Sequence, residues 1–327
     1  MSLYLDKNKA NYIPLTPLSF LERAKDVYPN YEAIVYEDRK YTWIEVYKRA
    51  VKFASALSKI GINKGDTVSF LAFNTPEIFE AHYSVPMTGG VLNTINVRLD
   101  ANTIAYILEH SEAKVLVVDR QLHVEVKKAL KMLNKKITII DINDKHADQS
   151  KLEKIGDLEY ENFLSTGDEN YDWKMPDDEW QAISLSYTSG TTGNPKGVML
   201  SHQNLLSNLF AASPLIPPGA YRSLSFLPLS HIYERIIVYM YLSKGTNIYY
   251  AESLDKIAAN FLEVKPNMFT TVPRLLEKVH DRIVEKGNQL KGIKRLLFFW
   301  ALNLGLKYEY DGANGWWYEF QLKIANK

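Results

Sequence analysis

A run rich in glycine, hydroxyl and lysine side chains, residues 187–198, carries the residue types that bind phosphate. It reads Tyr-Thr-Ser-Gly-Thr-Thr-Gly-Asn-Pro-Lys-Gly-Val. Glycine lets the backbone turn its N–H groups toward an anion. Ser189, Thr191 and Thr192 add hydroxyl donors, and Lys196 adds a positive charge for phosphate oxygens. The run therefore predicts a loop that binds a nucleoside triphosphate.

Two common phosphate motifs do not match this run. A Walker A loop requires Gly-x4-Gly-Lys-Ser/Thr, but Lys196 lies between Pro195 and Gly197. The dinucleotide fingerprint Gly-x-Gly-x-x-Gly is also absent from it. A Gly/Thr-rich surface turn is the alternative. We disfavour it because a structural turn needs some of these residue types, but not all of them in this order.

The surrounding elements place the run between a strand and a helix. Residues 183–187 alternate between apolar and polar, which predicts a strand, and Ser201 starts a capped helix. Strands alternate with helices along most of the chain, which is typical of parallel βαβ units. After residue 182 we predict strands at 183–188, 223–227, 246–251 and 268–272, and helices at 201–212, 231–243, 253–264 and 274–287.

Domain organisation follows from a change in composition. Residues 143–180 are polar and are predicted to be irregular. We therefore predict a first α/β subdomain with an N-terminal arm at 1–180, and a second α/β subdomain carrying the phosphate loop at 181–327.

Composition narrows the functional classes. The 327 residues are 46% hydrophobic and 24% charged, as in ordinary globular proteins. A net charge of +1 gives no reason to expect a nucleic-acid partner. The absence of cysteine rules out disulfides and thiolate chemistry and fits a reducing compartment. The N-terminus lacks the apolar core of a signal peptide, and no run is apolar enough for a spanning helix. We expect a cytoplasmic protein and leave peripheral contact with a membrane open.

The run resembles the phosphate motif of the adenylate-forming superfamily, specifically of AMP-forming acyl-CoA synthetases such as long-chain fatty acid CoA ligases. That motif, Thr-Ser-Gly-Thr-Thr-Gly-x-Pro-Lys-Gly, matches every position from Thr188 to Gly197. Further resemblance extends over nearly the whole chain. It lies at residues 41–43, 65–68 and 108–114 upstream of the motif, and at 227–235 and 271–276 downstream.

The resemblance implies a fold and a reaction. The fold is α/β, with parallel sheets flanked by helices in two αβ subdomains, as in the N-terminal domain of adenylate-forming enzymes. In the reaction, a carboxylate attacks the α-phosphate of ATP to give acyl-AMP and pyrophosphate. The thiol of CoA then attacks the acyl-AMP, which makes the parent protein an acid–thiol ligase. ATP, Mg²⁺, CoA and a fatty acid are the expected cofactors and substrates.

The resemblance also assigns candidate site residues. His231 and Lys196 are the catalytic candidates, with His231 beside the acyl carboxylate and the α-phosphate. His231, Tyr233 and Arg274 are the substrate candidates, with Tyr233 along the acyl or CoA passage. No metal ligand is assigned. The motif would hold the β- and γ-phosphates through Thr188, Ser189, Gly190, Thr191, Thr192, Gly193, Lys196 and Gly197.

Several of these residues have a structural alternative. Arg274 either lies in the site or pairs with an acidic neighbour. Glu234 and Arg235 follow His231 closely and are interpreted as surface charges of a helix, with a site role for Arg235 left open. In some long-chain members of the family a tryptophan gates the acyl tunnel, and Arg235 stands at the matching position.

Other family motifs do not occur in this chain. Tyr-Gly-x-Thr-Glu, whose glutamate binds Mg²⁺, and Arg-Thr-Gly-Asp, whose aspartate holds the ribose, are both absent. We therefore expect an N-terminal fragment that is inactive alone. Residues 292–327 are strongly apolar, and we expect them to mediate self-association.

The acid and its acceptor are left open. Residues 12–190 are similar to ligases of short or medium acids, whereas residues 198–310 are similar to long-chain ligases. We favour a long-chain acid. One alternative is an enzyme that passes acyl-AMP to a carrier protein. The other is a non-catalytic protein that binds acyl groups or nucleotides.

Overall fold

The computed structural model describes residues 6–8, 10–188, 193–217, 219 and 221–326. Within these ranges the chain forms twelve strands and twelve α-helices. The strands are β1 (Glu32–Tyr36), β2 (Arg39–Thr42), β3 (Thr67–Leu71), β4 (Val91–Thr94), β5 (Val115–Asp119), β6 (Thr138–Ile142), β7 (Leu158–Glu159), β8 (Ala182–Thr188), β9 (Lys196–Ser201), β10 (Arg222–Ser225), β11 (Asn247–Tyr250) and β12 (Met268–Phe269). The helices are α1 (Leu18–Val27), α2 (Trp43–Lys59), α3 (Pro76–Met87), α4 (Ala101–His110), α5 (His123–Leu130), α6 (Tyr160–Ser165), α7 (His202–Ala212), α8 (Ile232–Lys244), α9 (Ile257–Val264), α10 (Pro273–Gln289), α11 (Ile293–Gly305) and α12 (Trp316–Ala325).

A seven-stranded sheet forms the larger layer. Its order is β7-β6-β5-β3-β4-β8-β9, and every neighbouring pair is parallel except β8 and β9. β3 and β5 are buried at every position, as expected for parallel strands covered on both faces. The carboxyl ends of β3, β4 and β8 therefore lie side by side at one edge of this sheet.

A five-stranded sheet has the order β12-β10-β11-β1-β2. Only β1 and β2 pair antiparallel in it. The two sheets match the predicted α/β class, which is confirmed. Both sheets combine strands that precede residue 180 with strands that follow it. The predicted boundary at 180/181 therefore does not separate the two sheets, and the division into two subdomains stays a prediction.

Local sequence signals set the ends of the helices that pack on these sheets. Thr42 caps α2 through a capping box with Glu45, and Ser201 caps α7 in the same way with Asn204. All residues of α3 are buried, which makes it the most enclosed helix of the described chain. It packs against α2 within a continuous apolar core.

The structure corrects three sequence expectations. Residues 143–180 are not wholly irregular, because they contain β7 and α6. Residues 37–40 are polar, which predicts a turn, but β2 begins at Arg39 within this range. Lys196 begins β9, a strand that the sequence did not predict.

The chain divides into two compact units, residues 1–270 and 271–327. The second unit consists of α10, α11 and α12, and α11 contacts both other helices. Among the described residues, no helix combines the length and apolarity needed to cross a membrane.

Candidate active site

The phosphate motif joins β8 to β9 in an antiparallel hairpin. Thr188, at the end of β8, pairs with Lys196, at the start of β9, and both side chains are exposed. Gly193 has a φ of 151°, in the region that favours glycine. The motif residues Ser189, Gly190, Thr191 and Thr192 lie outside the described residues. The described ends of the motif therefore lie at the carboxyl edge of the seven-stranded sheet.

Tyr187 supports the base of this hairpin. A Cβ atom on Gly197 would lie 3.2 Å from the Tyr187 ring and 3.1 Å from Leu185, so glycine permits this close approach. The Tyr187 hydroxyl lies 2.7 Å from Nδ1 of His110. Burial raises the pKa of Tyr187 to about 12, so its hydroxyl stays protonated at neutral pH.

His231 is the N-cap of α8, and its side chain is exposed. Its Nδ1 accepts a hydrogen bond from the backbone N–H of Tyr233 at 3.2 Å. In the neutral ring, an accepting Nδ1 leaves the proton on Nε2. His231 can therefore donate from Nε2 to an anion beside the helix N-terminus, where the helix dipole favours negative charge. The Tyr233 side chain is 43% exposed at the same helix end.

The segment that precedes His231 binds to the edge of the seven-stranded sheet. Asn74, which follows β3, donates to the carbonyl of Leu227 at 2.7 Å and accepts from the N–H of Leu229 at 2.9 Å. Thr94, at the end of β4, donates to the carbonyl of Ser230 at 3.3 Å. Because β4 pairs with β8, this contact brings the His231 segment to the sheet edge from which the phosphate motif leaves.

Glu234 and Arg235 are not surface charges, which corrects the sequence interpretation. Each is only 1% exposed. The Glu234 carboxyl accepts hydrogen bonds from Ser225 at 2.6 Å and Thr270 at 3.1 Å. Burial raises the pKa of Glu234 to about 7, and the hydrogen bonds from Ser225 and Thr270 offset only part of the lost hydration.

The Arg235 guanidinium also binds hydroxyl groups. It donates to Ser184 of β8 at 2.5 Å and to Tyr239 at 3.1 and 3.2 Å. Burial, and then the Arg235 charge, lower the pKa of His202 to about 4. The same two causes hold the pKa of His82 well below its usual range. Both histidines are therefore neutral beside a buried positive charge.

The remaining candidates are less well connected. Arg274 is exposed in the first turn of α10, in the second unit, and its site role stays a prediction. Within the described ranges, no group of three or more His, Cys, Asp or Glu side chains is arranged to hold a metal ion. Sequence reasoning missed Asn74, although a polar residue directly after a buried strand is a known signal in open α/β sheets.

Known proteins match this chain over most of its length. The model of the AMP-binding enzyme family matches residues 21–307. An acetate–CoA ligase from Humulus lupulus is 47% identical over 219 residues, which cover 64% of this chain and 39% of that protein. A trans-cinnamate:CoA ligase, named as peroxisomal, from Petunia hybrida is 45% identical over 213 residues, covering 61% of this chain and 37% of that protein.

A solved structure supports the fold. A long-chain-fatty-acid-CoA ligase from Archaeoglobus fulgidus superimposes with a TM-score of 0.72 at 21% identity, covering 84% of this chain and 55% of that one. The chain thus spans about two fifths of the length of the curated relatives described above. Since the family model covers most of the chain, this protein belongs to the AMP-binding enzyme family.

Proposed function

We propose that this chain contributes to an AMP-forming acid–CoA ligase. In the first step a carboxylate oxygen bonds to the α-phosphorus of ATP, and the bond between the α- and β-phosphates breaks to release pyrophosphate. In the second step the sulfur of CoA bonds to the acyl carbon. The acyl–phosphate bond then breaks, AMP leaves, and the thiol proton is lost to solvent.

One observation carries this proposal. The phosphate motif and the segment bearing His231 meet the same edge of the seven-stranded sheet, at the carboxyl ends of β3, β4 and β8. Ligands bind at this edge in open α/β sheets. Membership of the AMP-binding enzyme family supports assigning ATP to this site.

The described side chains suit the adenylation step. Lys196 is exposed at the start of β9 and offers a charge to phosphate oxygens as pyrophosphate leaves. The Nε2 proton of His231 can bind an oxygen of the acid or of the α-phosphate, and stabilise charge in the transition state. Thr188 adds a hydroxyl at the end of β8. We assign no step to Mg²⁺.

The identity of the carboxylic acid substrate is proposed less specifically than the reaction. The curated relatives are named for acetate and trans-cinnamate, and the solved relative for long-chain fatty acids. Our sequence preference for a long-chain acid rests on residues 198–310. Tyr233, exposed beside His231, is the proposed wall of the acyl or CoA passage.

Ligand binding tests the proposed site without requiring turnover. We expect a non-hydrolysable acyl-adenylate analogue to bind the 327-residue chain by calorimetry. Lys196→Ala and His231→Ala should weaken binding about tenfold each, since each removes a charged or strong donor. The exposed Lys278→Ala in α10 is the matched control. Equal binding by all variants would refute the assigned site.

Turnover is expected to need more than this chain. We expect no pyrophosphate exchange above that of Lys196→Ala, because the family's ribose and Mg²⁺ motifs do not occur in it.

A chimera tests which acid the protein prefers. Residues 21–307 would replace their counterpart in the acetate–CoA ligase relative, and exchange would be compared for acetate, cinnamate and palmitate. Activity with palmitate alone would support the long-chain proposal, and activity with acetate alone would refute it.

Location and assembly are proposals of the same kind. We propose a cytoplasmic enzyme with peripheral membrane contact, although the trans-cinnamate relative is named as peroxisomal. Fractionation of cells expressing the tagged protein tests this.

Self-association through residues 292–327 is also proposed. Nucleic acid is not proposed as a partner.

A further inference from the structure

The turn that carries His231 is bound by a single side-chain amide from another part of the chain. The Asn74 amide nitrogen donates to the carbonyl of Leu227 at 2.7 Å, and its oxygen accepts from the N–H of Leu229 at 2.9 Å. One amide therefore binds two backbone groups on either side of Pro228. A neighbouring strand would normally offer such a donor and acceptor from its backbone, and here the side chain of Asn74 offers both.

The turn has little other support along its own sequence. It leaves β10 of the five-stranded sheet and ends where His231 caps α8. Within it, the N–H of His231 donates to the carbonyl of Pro228 at 2.9 Å. Leu229 is 1% exposed and anchors the turn in the apolar core. Burial of Leu229 holds the turn against the core but does not fix the direction in which the turn faces, because the hydrophobic effect is non-directional.

Hydrogen bonds from the seven-stranded sheet supply the orientation. Asn74 follows β3, and Thr94, the last residue of β4, donates to the carbonyl of Ser230 at 3.3 Å. The backbone groups on both sides of Leu229 are thus tied to two adjacent strands. The contact with Asn74 is the stronger, because both of its distances are shorter and it fixes a donor and an acceptor together.

We propose that Asn74 is a positioning residue that orients the turn Leu227–Ser230 and thereby aims the imidazole of His231 at the edge of the seven-stranded sheet. The proposal rests on the proposed role of His231 in acid activation. Asn74 itself is half-buried, and both polar ends of its side chain are used by the turn. It acts on the reaction only through His231.

The test measures His231 and Leu229 directly in the 327-residue chain, with no substrate present. Selective ¹⁵N labelling gives the imidazole signals of His231, which report whether Nδ1 accepts a hydrogen bond, and the exchange rate of the Leu229 amide. Asn74→Leu removes both hydrogen bonds at similar volume. Asn74→Asp keeps only the acceptor for Leu229. Asn134→Ala is the control, because that exposed amide binds the Glu109 carboxylate instead.

We expect Asn74→Leu to speed exchange of the Leu229 amide by about tenfold and to shift the His231 imidazole signals, while Asn134→Ala changes neither. Thr94→Val should give a smaller shift in the same direction. A variant that folds with unchanged His231 signals overturns the proposal, even if its stability falls, because Asn74 is then only structural. If Asn74→Leu does not fold, Asn74→Asp decides by the same His231 signals. Failure of the acyl-adenylate analogue to bind, with His231 shifted as expected, would refute the proposed function and leave the positioning role intact.

Discussion

Buried charges are treated in two different ways in this protein. Arg49 of α2 lies 2.5 Å from the Glu80 carboxylate of α3, and Arg39 of β2 lies 2.5 Å from Glu77 of α3. On α8, Glu234 and Arg235 are both almost fully buried, yet the hydrogen bonds of their side chains within the described ranges reach only hydroxyl groups. No carboxylate in the described ranges forms an ion pair with Arg235.

This difference separates a structural interface from a candidate site. A nearby opposite charge offsets part of the cost of burial, and in the pair of Arg49 and Glu80 burial still raises the pKa of Glu80 to about 7 against the lowering effect of Arg49. An unbalanced buried charge costs stability and is more often found where chemistry requires it. α8 begins at His231, so its unbalanced charges lie directly behind the proposed active site.

The largest expected effect on the free energy of unfolding is at the paired charges. Arg49→Met leaves the fully buried Glu80 with only the Tyr160 hydroxyl as a partner at 2.8 Å. Breaking such a pair from one side costs about 3–5 kcal/mol, because a buried charge loses its counter-charge. Urea unfolding measures the loss. Arg98→Met, at an exposed arginine, is the control and should change the free energy of unfolding by less than about 0.5 kcal/mol.

The next effect is the pH dependence that Glu234 contributes. Burial raises its pKa to about 7 in the folded protein, from the usual 4.5 of glutamate, so the folded state binds its proton more tightly. The contribution of Glu234 to the free energy of unfolding is fully present below about pH 4.5. It is lost as the pH rises through about 7, and the loss amounts to up to about 3 kcal/mol. Tyr241 and Tyr250 are the titratable neighbours, and both stay protonated in this range.

Glu234→Gln keeps the size of the side chain and cannot ionise. We expect the variant to lose this fall in stability between about pH 4.5 and pH 7, measured by urea unfolding at several pH values. Glu263→Gln, at an exposed glutamate of α9, should retain the wild-type pH dependence. An unchanged slope in Glu234→Gln would mean that a cation balances Glu234 after all.

A smaller effect is expected at Arg235. Arg235→Met leaves the hydroxyl of Ser184 without this partner but strands no opposite charge, so it should cost only about 1–2 kcal/mol. It should also raise the pKa of His202, since Arg235 is the second cause of the depression after burial. An NMR titration of His202 measures this. A loss of stability equal to that of Arg49→Met would contradict the comparison between the two regions.

The elements that flank the candidate site were easier to predict than the long-range contacts that support it. The strand at 183–188 and the helix at 231–243 are local patterns, and β8 and α8 lie there as predicted. A local pattern can mark Asn74 as a polar residue after a strand, but it cannot show what Asn74 binds, because its partner Leu227 lies 153 residues away in the sequence. β9 was missed because it is a strand by pairing with β8, and its own residues show little alternation.

Glu234 and Arg235 were misread for the same reason. Charged residues at a helix start are usually exposed, and a local pattern gives no other expectation. Two of their hydroxyl partners lie far along the chain, since Ser184 is 51 residues from Arg235 and Thr270 is 36 residues from Glu234. Long-range polar contacts decide burial here, and only the folded chain brings them together.

The smallest expected effect on the stability of residues 1–270 comes from residues 292–327. In the second unit large apolar side chains are exposed, including Leu296 at 72% and Trp316 at 80%. Leu304 is the only buried apolar side chain among its described residues. Contiguous exposed apolar surface of this kind favours association, since burying it against another copy removes it from water. We expect the chain to associate with itself through this segment.

Light scattering over a range of concentrations tests this directly. The full chain should gain mass as concentration rises, and a variant lacking residues 292–327 should remain monomeric with the same urea midpoint for the first unit. Leu296→Glu with Trp316→Glu should reproduce the loss of association without shortening the chain, because both side chains are mostly exposed. A full chain that stays monomeric at the highest concentration would rule out self-association through this segment.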